Sequence, residues 1–140
     1  MGQELNDVRY TEFLTERKAS IEKAFEKAFW TGKGYSSGKV MDDRANAMAV
    51  LSGLAKEEHY AQLREVLVTV FNATTYMEGY VLEALCRMGY KEDAYLRMIS
   101  RYYPLIVNEN TTLWEDFYLL GTKNHAWSGA PLTIVSRYGK

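Results

Sequence analysis

Apolar positions recur along this chain at helical spacing, and the recurrence changes character from one segment to the next. From about Asp7 to Phe29, Tyr10, Leu14, Ile21, Phe25 and Phe29 form one stripe on an otherwise charged helix. The glycines and serines of TGKGYSSGK (31–39) predict a loop. DRANAMAVLSGLA follows, capped by Asp42 or Asp43 and apolar nearly all round, with Ala45, Ala47, Ala49 and Gly53 small enough for a neighbour to approach. EEHYAQLREVLVTVF returns to a single stripe of Tyr60, Leu63, Leu67 and Val70. TTYMEGYVLEALCRMG, capped by a threonine and ended by Gly89, is apolar on most faces. YKEDAYLRMISRYY carries Ala94, Tyr95, Met98, Ile99 and Tyr102 on one side and charges on the other, and Pro104 is expected to stop it. Beyond a loop rich in Asn and Thr, a last and mostly apolar helix is expected from near Asn124 through APLTIVSRY.

Striped and apolar helices therefore alternate three times. This predicts an all-α chain of three helical hairpins, each pairing an outer amphipathic helix with an inner apolar one, in a single domain over residues 1–140. Inner helices that are apolar on every side need cover on their far side too, and the chain has too few elements to supply it. It reads as one part of a larger double layer of helices, or as a chain that self-associates into a homo-oligomer through exposed inner-helix faces. The three units share no consensus, so this is not a solenoid array.

Composition removes several classes of function. The net charge is −1, with acids and bases interspersed, which gives no field for nucleic acid or anionic lipid. No apolar run approaches the roughly 18 residues of a membrane span. The polar opening GQELNDVRY does not read as a signal peptide, and localisation stays open. Cys86 is the single cysteine, so no internal disulfide forms; its place in YVLEALCRM predicts a buried, inert thiol. Two histidines and one cysteine far apart match no metal-ligand spacing, and nothing points to a cofactor. Eleven tyrosines suit sugar or peptide handling, but equally a large helical core.

In a stack of such hairpins, every outer-to-inner turn lies at one end. That end collects SSGKVMDDR, NATTYMEGY and TTLWEDFYLLGTKNHAW, the stretches richest in polar and aromatic residues together. The inner helices also direct their N-termini there, which favour anions and hydroxyl oxygens. Such a mouth is a natural ligand site. Glu115, beside Trp114 in a loop, reads either as a general base against an aromatic wall or as a surface or capping acid. His125, after a plausible N-cap at Asn124, could bond a substrate hydroxyl or satisfy a turn carbonyl. Trp127 reads as core, with a mouth-lining role as the alternative. Glu78, one turn into an apolar helix, either lines the mouth or pairs with Arg44. Gly32 and Gly34 fit neither standard phosphate-loop spacing.

Three stretches taken together, DDRANAMAVLSGLA, TTYMEGYVLEALCRMGYKEDAYLRM and TTLWEDF followed by TKNHAWSGAPLTIVSRY, resemble the C-terminal half of the catalytic domain of bacterial α-L-rhamnosidases, glycoside hydrolase family 78. The resemblance covers roughly residues 40 to 138, and TLWE with NHAWSGAP is its most specific part. It implies half of the (α/α)6 barrel of the six-hairpin glycosidases, and a carbohydrate ligand ending in a rhamnose-type sugar. The implied chemistry is inverting hydrolysis of terminal α-L-rhamnosides, with Glu115 as general base, His125 bonding the sugar and Trp114 shaping the pocket. The family's general acid belongs to the N-terminal half of the barrel, and nothing in this chain corresponds to it. This chain alone is therefore expected to be inactive without that half as partner. Two alternatives remain at this point: a six-hairpin glycosidase for another sugar, and a non-catalytic helical interaction module.

Overall fold

The computed structural model describes residues 10–109, 111–118 and 120–139. Six α-helices follow one another: α1 (Thr11–Phe29), α2 (Asp43–Leu51), α3 (Tyr60–Thr69), α4 (Thr75–Arg87), α5 (Lys91–Ile106) and α6 (Ala130–Tyr138). Short 3-10 turns at Glu57–His59 and Ala126–Gly129 lead into α3 and α6. Among the described residues there is no β-strand, only an isolated bridge between Trp30 and Tyr35. The expected start of the first helix at Asp7 lies outside the described residues.

The apolar α4 is the centre. It packs against α2 on one side and α6 on the other, and against α3 and α5. Its Val81, Leu82, Ala84 and Leu85 are fully enclosed, together with Leu63 and Leu67 of α3 and Ala47 of α2. Each of the leucines contributes about 1.5–3 kcal/mol by leaving water. Small residues set the α4–α6 spacing: a Cβ on Gly79 would lie 2.8 Å from the Cβ of Ala130. Thus α2, α4 and α6 form one layer and α3 and α5 cover it, as the alternation of striped and apolar segments predicts. Cys86 is buried, and burial pushes its thiol up to about 11.

Three expectations need correction. The stripe of α1 does not seal the core, because α1 has no buried residue and Tyr10, Leu14 and Ile21 are exposed. Its last turns engage the core, through Phe25 against Tyr35 and Glu26 against His59. Pro104 does not stop α5, which continues to Ile106. A proline removes one donor and crowds the carbonyl four residues back, and here that residue, Ser100, is exposed to water. The expected inward face of α5 holds for Ala94, Tyr95, Met98 and Tyr102 but not for Ile99, which is exposed, while Arg97 and Leu105 are buried with that face.

The layer of inner helices stays open on one side. A groove of about 560 Å³ runs along α2, α4 and α6, with Met48, Tyr76, Tyr80 and Trp127 on its walls. A second, almost wholly apolar groove of about 310 Å³ lies between α5 and α6, where Ile99, Tyr103, Ile106 and Leu132 face out. The last helix buries only Ile134, far less than its apolar sequence suggests.

Candidate active site

The N-terminal ends of α2 and α4 are tied together by charge. Asp42 caps α2 by accepting from the Arg44 amide at 2.8 Å, and the Arg44 guanidinium closes on the same carboxylate. Asp43 is fully buried and accepts from the Asn72 and Ala73 amides, each at 3.2 Å. Arg97 reaches in from α5 and donates to Asp43 at 2.7 Å and to Glu78 at 2.6 and 2.9 Å. It also donates to the carbonyls of Leu67 in the last turn of α3 and Val70 just after it. Arg101 lies 3.3 Å from Glu78, donates to the Ala73 carbonyl at 2.6 Å and stacks 4.0 Å from the Phe117 ring. One guanidinium thus fastens two helix starts and a turn.

On this platform sits the α5–α6 connection. The Thr75 hydroxyl, at the start of α4, donates to the Glu115 carbonyl. The Ser128 hydroxyl, just before α6, donates to the Trp114 carbonyl at 2.6 Å. Two more backbone bonds close the loop: the His125 amide to the Leu113 carbonyl at 2.9 Å, and the Glu115 amide to the Thr122 carbonyl at 3.0 Å. Trp114 is buried against Tyr102 and Leu105, with the Lys123 ammonium 4.6 Å above its ring.

The Glu115 side chain turns outward. Its Oε2 accepts from the Thr122 amide at 3.0 Å and from the Thr122 hydroxyl at 3.2 Å, and that hydroxyl lies 2.7 Å from Nδ1 of His125. The Thr122 amide, followed by the Thr122 hydroxyl, holds the Glu115 carboxyl below the ordinary glutamate range; His125 adds to this and Asp116 opposes it. Next to the carboxylate runs a row of aromatic rings. His125 lies tilted against Trp127 with ring centres 4.1 Å apart, Trp127 meets Tyr76 edge-on at 5.6 Å, and Tyr76 meets Tyr80 at 6.2 Å. Trp127 and Tyr76 are about half exposed, at 45% and 51%. An ionised carboxylate beside an imidazole and a half-exposed aromatic row can take a proton from water and offer a face to a sugar ring. Among the described residues, no three His, Cys, Asp or Glu side chains gather as a metal cage would require.

The family model of the bacterial α-L-rhamnosidase six-hairpin glycosidase domain matches residues 1–138. The chain belongs to this family. The match takes in the first helix and loop, which the motif resemblance from residue 40 leaves out. No curated protein and no solved structure matches the chain. As a rhamnosidase-family domain, the chain is a helical glycosidase fragment of carbohydrate-handling type.

Of the residues singled out from sequence, the structure brings Glu115, His125 and Trp127 together on one surface. Trp114 lies beneath that surface rather than on it. Glu78, expected to line the mouth or to pair with Arg44, is instead fully enclosed and pairs with Arg97 and Arg101. Arg44 is partly exposed on Asp42. Trp127 is on the surface and not in the core. Sequence reasoning missed Thr122 and the inward turn of Arg97. A signal for Arg97 was present: Ala94, Arg97, Met98, Arg101, Tyr102 and Leu105 fall on one helical face.

Proposed function

We propose that this chain supplies the base side of an inverting hydrolysis of terminal α-L-rhamnosides. Glu115 is the general base that takes a proton from the attacking water. His125 bonds a hydroxyl of the sugar, and Trp127 with Tyr76 gives the ring an apolar wall. Trp114 acts from below by holding the backbone from which Glu115 projects. An inverting site needs two carboxyl groups roughly 6.5–9.5 Å apart with a water between base and sugar. The proton donor comes from the other half of the barrel, so this chain alone does not turn over.

The observation that carries this reading is the Glu115 carboxylate itself. It is held in the ionised form by Thr122, points away from the packed interior, and is linked through Thr122 to His125, whose ring lies against Trp127 on the groove wall. A buried structural acid such as Glu78 instead faces the interior and is enclosed by Arg97 and Arg101. The test is hydrolysis of an aryl α-L-rhamnoside by a polypeptide in which this chain is joined to an N-terminal half bearing the acid. Glu115→Gln there lowers kcat by roughly 10²–10⁴-fold, and the released sugar shows inverted anomeric configuration by NMR. Near-unchanged turnover in Glu115→Gln overturns the assignment.

A further inference from the structure

One hydroxyl, Thr122 Oγ1, stands between the Glu115 carboxylate and the His125 ring. A threonine hydroxyl has one proton to give and lone pairs to receive with. An ionised carboxylate can only accept. Thr122 Oγ1 lies 3.2 Å from Glu115 Oε2 and 2.7 Å from His125 Nδ1. When that proton goes to Glu115, the lone pair faces Nδ1, which then carries the hydrogen. The other ring nitrogen is 3.5 Å from the same oxygen, too far to take its place.

The backbone prepares this arrangement. Gly121 has φ of +74°, the left-handed region that favours glycine. A Cβ there would stand 2.5 Å from Glu115 Oε2, so the missing side chain is the space that the carboxylate occupies. Thr122 then meets Glu115 three times: its carbonyl accepts from the Glu115 amide, and its amide and hydroxyl both donate to the carboxylate. The backbone end and the acid end of one side chain are clamped by a single residue.

We propose that Thr122, set by the Gly121 turn, is a positioning residue for the Glu115 carboxylate and fixes neutral His125 as the Nδ1–H tautomer, so that Nε2 accepts from a sugar hydroxyl or the attacking water. The proposal rests on the reading of Glu115 as the base for its catalytic meaning. The relay joins the water-activating group and the sugar-binding group through one oxygen, so the two are set in mutual register. The titratable neighbours of the carboxylate on this loop are His125 and Asp116, and Lys123 lies over the adjoining Trp114 ring.

The test uses the 140-residue chain and does not depend on turnover. Nitrogen-15 NMR of the imidazoles at pH 8 reports the His125 tautomer, and carbon-13 NMR reports the titration of the Glu115 carboxyl. In the wild type and in Thr122→Ser, His125 is Nδ1-protonated and Glu115 titrates below an ordinary glutamate. In Thr122→Val, the Nδ1–H signature is lost and the Glu115 midpoint moves up. A wild-type His125 protonated at Nε2 overturns the proposal with no variant needed. So does a Thr122→Val chain with both signatures unchanged, or a Thr122→Ser chain that behaves like the valine variant. Retained hydrolysis in Glu115→Gln is a separate outcome: it removes the base role, whereas the NMR signatures decide the clamp.

Discussion

Arg97 and Glu115 show how differently single charges are used in this chain. Arg97 is buried with Asp43 and Glu78, and its five donors are shared between two carboxylates and two carbonyls. Removing one partner of such a group leaves the others charged and dry. Arg97→Leu is expected to cost about 3–5 kcal/mol in urea unfolding. Arg97→Lys should also destabilise, because a point charge cannot replace the fork; a lysine variant as stable as wild type would mean that charge alone matters. Glu115, by contrast, sits at the surface, and its value is chemical. Its TLWE setting made it visible from sequence, as did the run that places His125 beside Trp127. Thr122 was not visible, because its role depends on a turn that brings positions seven apart face to face. Asp43 and Asp42 stand side by side in the sequence, and only the structure separates the cap from the buried ion.

Among the elements, α4 was the most legible. An apolar helix with a single glycine at its waist reads as a central element, and Gly79 is where α6 comes closest. Gly79→Ala would force two methyl groups to 2.8 Å with no flexible side chain to yield. We expect a loss of about 1–3 kcal/mol from overpacking, read as a lower urea midpoint, in spite of the better helix propensity of alanine. An unchanged midpoint would show that α6 shifts freely. The α5 helix was misread by assuming that arginines face water. Two of them face inward because carboxylates on α2 and α4 await them, and that information lies 19 to 54 residues away along the chain (Arg97 to Glu78 and to Asp43). The α1 helix was misread for the opposite reason: its stripe is real, but among the described residues nothing covers most of it.

For the molecule as a whole, ionised carboxylates recur wherever segments meet. Asp42 is held low by Arg44. At Glu26 burial opposes ionisation, but His59 and Tyr35 outweigh it. At Glu83 burial is likewise outweighed, by Tyr138 and then Arg87. Each has a folded pKa below its unfolded value, so each contributes stability that is present above about pH 4.3 and lost as pH falls through the folded value. Unfolding free energy should therefore decline as pH drops below about 4.3. Glu83→Gln, which cannot titrate, should make that decline shallower while lowering stability at pH 7; urea melts at pH 3, 4 and 7 check this. An equal slope in both proteins would remove Glu83 from the linkage. The hairpin order and the two layers were legible at this scale because periodicity reports burial directly. The open grooves were legible only as an excess of apolar faces over the elements available to cover them.

The Arg97 tie also has a meaning in time. Synthesis delivers Asp43 first and Glu78 next, and the cation that neutralises both arrives only with the fifth helix. Until then, burying these two acids together is opposed by their own repulsion and desolvation. The packing of α2 against α4 is therefore energetically coupled to the docking of α5, and so is the site loop that rests on both.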